Sequence, residues 1–351
     1  MNIFDLQPQA WQRLQARREQ LPHALLLSGP RGVGKLEIAQ AFAASLLCEH
    51  PRPDQQACGQ CPACNWFSQG NHPDFRLVQP AAMGGESGEE EGDGGKKKPS
   101  QQITIEQIRE LDEFLHVGTH RQGRRIVLLH PAEAMNRSTA NSLLKGLEEP
   151  LPGTLFLLVS HEPDRLLPTI RSRCQRVDVF VPGADLAERW LAEQGLKEAA
   201  RWLALAGGAP LLAVNLAANQ QAQLLDTMVK LLSQGGRLAP LEAAGAVERL
   251  LKGDKSGTLA LRWVMEWVQK WTTDLILASH HLAPRFFVDE VATIEQLAQS
   301  ADKKKLFRFN KKVYEFKVQS EHPLNSRLFL EEVMFAYQGV FPPPGGNHVR
   351  P

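Results

Sequence analysis

No apolar stretch in this 351-residue chain approaches the ~20 residues that a membrane-spanning helix requires. The opening segment, MNIFDLQPQAWQ, lacks the basic start followed by an apolar run that marks a secretion signal, so export is not expected. An excess of one charge is also missing. With 40 Lys plus Arg against 39 Asp plus Glu the formal net charge is +1, and the chain as a whole has no field to gather nucleic acid. Any such contact must come from a local patch or through a partner. Cysteine is scarce at five residues, three of them inside positions 58–64, which does not resemble the disulfide framework of a small secreted domain. A cytoplasmic protein with no membrane partner is expected.

With 43% hydrophobic residues, the chain is long enough for two or three domains, each burying its own core. The first half alternates short apolar runs with helical patterns. Runs at 23–27, 75–78, 125–129 and 154–159 are continuous rather than alternating, as in strands buried on both faces of a parallel sheet with crossover helices. Residues 1–180 are therefore read as one α/β domain. Between 83 and 100 the composition GGESGEEEGDGGKKKPS has no apolar residue to offset the entropy of ordering, and a mobile loop is expected there. Ile105, Ile108, Leu111 and Leu115 then recur on one helical face. After Pro182 strand-like runs stop. A small helical unit over 181–213 is expected, then a second helical region over 214–340 in which Trp263, Trp267 and Trp271 share a core or packing face, and a disordered tail over 341–351.

Gly29-Pro30-Arg31-Gly32-Val33-Gly34-Lys35 fits the phosphate-loop pattern G-x-x-x-x-G-K and lies between a buried strand and a helix, the context that gives the pattern meaning. Gly29, Gly32 and Gly34 let backbone N–H groups curl toward a phosphate, the helix N-terminus adds positive potential, and Lys35 supplies a point charge. The next residue is Leu36 where a Ser or Thr hydroxyl would hold Mg²⁺. After the strand at 126–129 an ATPase places an Asp, often with a Glu to orient water, but this chain has His130-Pro131. Two parts of the hydrolytic machinery are therefore absent, and productive Mg²⁺ binding is not expected. A turn that binds nothing and a loop that docks nucleotide idly both remain open. Glu133 offers a substitute acid or a plain helical surface position.

Cys58, Cys61 and Cys64 are spaced by two residues each, and Cys48 precedes them. Four thiolates suit a closed tetrahedral Zn²⁺ site, structural because no position is left for water. Such a site would fold 48–64 into a knob. His50 or His72 could replace Cys48, and a redox pair is a weaker alternative because a third Cys has no place in it. Cys174 reads as a buried thiol.

The segment 161–174 ends in Ile170-Arg171-Ser172-Arg173-Cys174. With the phosphate loop, the cysteine cluster and 141–150 (NSLLKGLEEP), it resembles the clamp-loader branch of the AAA+ family, specifically from about Trp11 to Cys174 and more weakly to Tyr337. The resemblance implies an AAA+ α/β domain, a helical lid and an all-α collar, in one subunit of a five-membered ring that works within a DNA polymerase holoenzyme. The implied partners are ATPase subunits of the gamma/tau type, a delta subunit, a sliding clamp and primed DNA. It also implies that Arg173, framed by Ser172 and Cys174, reaches across an interface to ATP held by a neighbouring subunit. A guanidinium so placed is worth about 10³ to 10⁵ in rate. Positions 36, 130 and 131 fit the subunit type that does not hydrolyse ATP itself, and residues 207–213 carry none of the lid arginine that a family ATPase offers. A self-sufficient ATPase is the alternative, and a zinc-dependent nucleic-acid reader a weaker one, since Arg52 is the knob's one basic residue. Lys303, Lys304, Lys305, Arg308, Lys311, Lys312 and Lys317 interleave with Leu306, Phe309, Val313 and Phe316, which predicts a helix with an apolar inner face and a basic outer one.

Overall fold

In the computed structural model each of the four apolar runs is a strand: β1 (Ala24–Ser28), β2 (Phe75–Val78), β3 (Arg125–Leu129) and β4 (Thr154–Ser160). Residues 2–83, 100–116, 123–254, 260–320, 322 and 324–342 are described. The loop expected at 83–100 therefore falls almost wholly outside the described residues, as does the tail from 343. The chain divides into two compact units, Met1–Leu186 and Ala187–Pro351.

The first unit is built on a five-stranded parallel sheet in the order β2-β3-β4-β1-β5. Its fifth strand, β5 (Gln175–Asp178), has no apolar run behind it. The reason is how little of it is buried. Every residue of β1, β3 and β4 is buried, which demands unbroken apolar sequence, whereas β5 buries Val177 fully and leaves Gln175 and Arg176 exposed. After a single helical turn at Ile3–Leu6, the helices are α1 (Pro8–Gln15), α2 (Lys35–Leu47), α3 (Pro62–Ser68), α4 (Ile105–His116), α5 (Arg137–Glu148) and α6 (Pro168–Arg171). Helix α4 buries Ile108, Leu111 and Leu115 and α5 buries Leu143 and Leu147, in one cluster with Leu26, Val127, Phe156 and Ile170. Because β1 lies between β4 and β5, the loop leaving β1 opens at the carboxyl edge, where successive connections depart in opposite directions. Open α/β sheets hold ligands at such a point.

The second unit is helical. Helix α7 (Ala184–Glu193) starts at the boundary, and α8 (Ala199–Leu205), α9 (Pro210–Leu216), α10 (Asn219–Leu232), α11 (Pro240–Gly253), α12 (Leu261–Ser279), α13 (Val291–Ser300), α14 (Lys303–Gln319) and α15 (Ser326–Gln338) come after it. Trp263, Trp267 and Trp271 of α12 are buried as the four-residue recurrence predicts. The Trp271 indole N–H donates to the Tyr337 hydroxyl at 3.0 Å, which donates in turn to the Leu232 carbonyl at 2.6 Å, so α12, α15 and α10 share one buried chain of hydrogen bonds. Helix α14, capped by Asp302 through the Lys305 N–H, buries Leu306, Phe309, Val313 and Phe316 and exposes Lys303, Lys304, Lys305, Arg308 and Lys311. Phe341, at the start of the expected disordered tail, is instead buried, its ring packed edge-on against that of Tyr337. Among the described residues no single helix is long and apolar enough to cross a membrane.

A polar residue that the periodicity of α12 gives no reason to notice is central here. Asp274 is fully buried, and its carboxylate accepts from the backbone N–H groups of Arg285, Phe286 and Phe287 at 2.8 to 2.9 Å. Removing it orphans three donors at once. Asp274→Ala is expected to destabilise the second unit by about 3 kcal/mol or more, with Asp274→Asn losing less. A urea titration followed by tryptophan fluorescence checks this, since Trp271 packs edge-on against Phe287 at 5.0 Å.

Candidate functional site

The phosphate loop runs from the end of β1 into α2. An added Cβ at Gly29 would lie 2.1 Å from the carbonyl oxygen of Val179, so only glycine lets the loop pass this close to the chain leaving β5. Gly32 and Gly34 have φ of +77° and +95°, and Gly34 serves as the N-cap of α2. From the N-terminal segment Gln7 donates its amide to both Val33 and Phe180 carbonyls at 2.8 and 2.9 Å, stitching the loop to the segment that follows β5. No sequence pattern singles out that lone glutamine. Lys35 is 2% exposed, and its ammonium donates to the carbonyls of Gly29 (2.7 Å) and Pro30. Burial, opposed by the field of Glu133, brings its pKa down to about 8. The lysine is thus turned onto the start of its own loop.

Around it the carboxyl ends of β3 and β4 contribute His130 and His161, whose rings meet edge to face at 5.3 Å. Burial first, then the cations of Lys35 and Arg31, push His130 down to about 4 and His161 to about 2, so both imidazoles are neutral near pH 7. Glu133 lies in a short 3₁₀ turn at Ala132–Ala134 rather than on an exposed helix face. Its Oε1 accepts from the His161 N–H at 2.9 Å, tying this turn to the end of β4. Leu36, partly buried, offers no oxygen. The residues at the positions of a magnesium site are therefore an aliphatic chain, a neutral imidazole and a proline, a poor match to a hard cation that requires oxygen.

The four cysteines named from their spacing converge. Cys48 ends α2, Cys61 is the N-cap of α3 and Cys64 lies one turn into it, so the knob takes its geometry from two helix ends. All four sulfurs lie within 4.8 Å of one another, with 3.9 Å from Cys48 to Cys61 and from Cys58 to Cys64. A tetrahedron with ~2.3 Å metal–sulfur bonds has sulfurs ~3.8 Å apart, so the donor set fits a tetrahedral metal ion. Backbone N–H groups of Cys58, Gln60, Cys61 and Cys64 point at the sulfurs of Cys48, Cys58, Cys58 and Cys61 at 3.2 to 3.4 Å, which suits thiolates. The N–H groups of Gln60 and Cys61 draw Cys58 down to about 6, while burial pushes Cys64 up to about 12 and Cys48 in the same direction. Ionising all four together calls for a cation between them. Cys48 takes the fourth corner, and neither His50 nor His72 joins the cluster. His72 is buried with its Nδ1 accepting from the Asp74 N–H at 3.1 Å.

The third element is α6 together with the turn that leads from it into β5. Ile170 is fully buried, and Cys174 is partly buried against the same cluster, its thiol pushed up to about 12 by burial. These two anchor a surface segment. Ser172 donates to the Thr169 carbonyl at 3.0 Å, Arg171 pairs with Asp164 at 3.1 Å, and Arg173 pairs with Glu148 at 2.7 Å while donating to the Thr169 carbonyl at 2.8 Å.

Residues 6–181 match the family described as DNA polymerase III, delta subunit, and residues 249–338 match the description DNA polymerase III, delta subunit, C terminal. The DNA polymerase III subunit delta' of Pseudomonas aeruginosa is 34% identical over 356 residues, covering 98% of this chain and 99% of that protein. The Escherichia coli K12 subunit delta' is 30% identical over 214 residues, 60% of this chain and 59% of that one. A solved Thermotoga maritima protein described as related to the DNA polymerase III gamma subunit covers 94% of this chain and 99% of its own, with TM-score 0.47 and 18% identity.

The buried imidazoles set a pH dependence. A histidine near pKa 6.5 when unfolded and about 4 in the fold contributes stability that is fully present above pH 6.5 and is lost as pH falls toward 4. Each such histidine steepens that fall by up to about 1.4 kcal/mol per pH unit. Urea melts across pH 7 to 4 are expected to show a flatter profile for His130→Gln and for His161→Gln than for the wild type, whatever the change in absolute stability.

Proposed function

We propose a non-catalytic role in a ring for this chain, which belongs to the delta-prime family of DNA polymerase III subunits. The subunit assembles with gamma/tau-type ATPase subunits and a delta subunit to place a sliding clamp on primed DNA. Its own phosphate loop is a structural remnant, and Arg173 is lent to ATP bound by the neighbouring ATPase. The observation that carries this is the pairing of a loop whose Mg²⁺ oxygens are replaced by Leu36, His130 and Pro131 with an arginine on a surface segment anchored at Ile170 and Cys174. Phosphoryl transfer depends on positioning and charge neutralisation, so the subunit that lacks the ligands contributes the cation instead. Ser172, bonded back to Thr169, and Cys174, packed inward, hold the turn that presents it.

In this reading residues 181–213 form the lid and 214–340 the collar that binds ring neighbours, with the exposed basic residues of α14 meeting another subunit. The ion held by Cys48, Cys58, Cys61 and Cys64 is Zn²⁺. Four thiolates favour it, and a closed donor set gives it a structural role.

Hydrolysis assays and metal analysis test these assignments. The purified chain is expected to release no phosphate from ATP above background, and in the reconstituted complex Arg173→Ala should slow hydrolysis at the one facing ATP site by about 10³-fold while assembly survives. Clear turnover by the chain alone, abolished by Lys35→Ala, would establish the self-sufficient ATPase instead. For the metal, elemental analysis should find about one zinc per chain, and chelation should lower the melting temperature as that zinc is released. Metal-free protein of unchanged stability rules the zinc site out.

A further inference from the structure

The guanidinium of Arg173 already has partners inside its own subunit. Its Nη2 lies 2.7 Å from Glu148 Oε1 and its Nη1 donates to the Thr169 carbonyl at 2.8 Å. Thr169 belongs to α6, the helix that leads directly into the arginine's turn, but Glu148 is the last residue of α5. Arg171, by contrast, is held by Asp164, within the short segment that joins β4 to α6. Of the two arginines it is Arg173 that is tied to a separate, well-anchored element.

Helix α5 makes the tether stiff. Asn136 caps its start through the Thr139 N–H at 2.9 Å, Leu143 and Leu147 are buried, and Gly146 runs so close to the sheet that an added Cβ would lie 3.2 Å from the Phe156 ring. A carboxylate at the end of a helix stands where the terminal carbonyls already concentrate negative charge, so helix stability does not account for an acid at position 148. The cation opposite it does. Carboxylate and phosphate offer the guanidinium fork the same pair of oxygen acceptors.

We propose that Glu148 is a positioning residue for Arg173, an internal stand-in for phosphate that keeps the guanidinium at the subunit surface until a neighbour's triphosphate displaces it. The proposal rests on the reading of Arg173 as a donor to a neighbouring ATP site. With side-chain exposures of 33% for Arg173 and 49% for Glu148, the pair is partly hydrated and weak enough to be exchanged for a polyphosphate of higher charge. Because the carboxylate competes with ATP for the same cation, its presence weakens the neighbour's hold on ATP without removing the cation from the reaction.

The test is DNA-stimulated hydrolysis by the reconstituted complex across a range of ATP concentrations. Glu148→Gln keeps size and shape and removes the charge. It is expected to lower KM for ATP about two- to fivefold with kcat unchanged, and to have no effect on KM in the Arg173→Ala background. An unchanged KM in the presence of Arg173 overturns the proposal, and so does an equal shift without Arg173, which would mean that the carboxylate acts on ATP directly. If Arg173→Ala by itself leaves hydrolysis untouched, the arginine reading falls and this inference with it. If Arg173→Ala slows hydrolysis while Glu148→Gln changes nothing, only the role of Glu148 is lost.

Discussion

The backbone at Gly29 runs so near the Val179 carbonyl that there is no room for a single extra carbon, and the arrangement of the whole carboxyl edge depends on that approach. It is possible because β1 is flanked on one side by β5, whose chain exits directly beside the loop. Gln7 adds two hydrogen bonds that hold the same two segments together, and the Lys35 ammonium closes the loop from within by bonding to its first two carbonyls.

Charge at this edge has been redistributed rather than deleted. A hydrolysing site gathers acidic oxygens to hold a metal, and the metal in turn neutralises phosphate. Here the ends of β3 and β4 carry His130 and His161, both held neutral by burial and by the cations of Lys35 and Arg31, and Glu133 is engaged by a backbone N–H. Neutral imidazoles are tolerated beside a buried ammonium where two more charges would be costly. On the proposed reading, the useful cation has moved outward to Arg173, on a segment that the core fixes at Ile170 and Cys174.

The cysteine knob and the second unit solve stability in different ways. Residues 48–64 have few apolar side chains to bury, and their order comes from sulfurs gathered at two helix ends. The second unit has a large aromatic core, and two of the polar groups buried inside it, those of Asp274 and Tyr337, bond to backbone partners.

The amino-acid sequence alone was enough to place the central strands, the phosphate loop, the three closely spaced cysteines at 58, 61 and 64, and the inner faces of α12 and α14. Each of these depends on local chemistry repeated at short spacing: continuous apolar runs, glycines before a lysine, thiols two residues apart, and one apolar face every three or four residues. Strand β5 was not legible, because Val177 is the one fully buried residue among its four and no apolar run marks it. Nor were Gln7, Asp274 and Glu148, single polar residues whose partners lie elsewhere in the chain. The choice of Cys48 over His50 or His72 was likewise open until the end of α2 met the start of α3. Those assignments belong to the tertiary structure, because a lone donor or acceptor acquires meaning only when folding removes water and brings a distant group within hydrogen-bond reach.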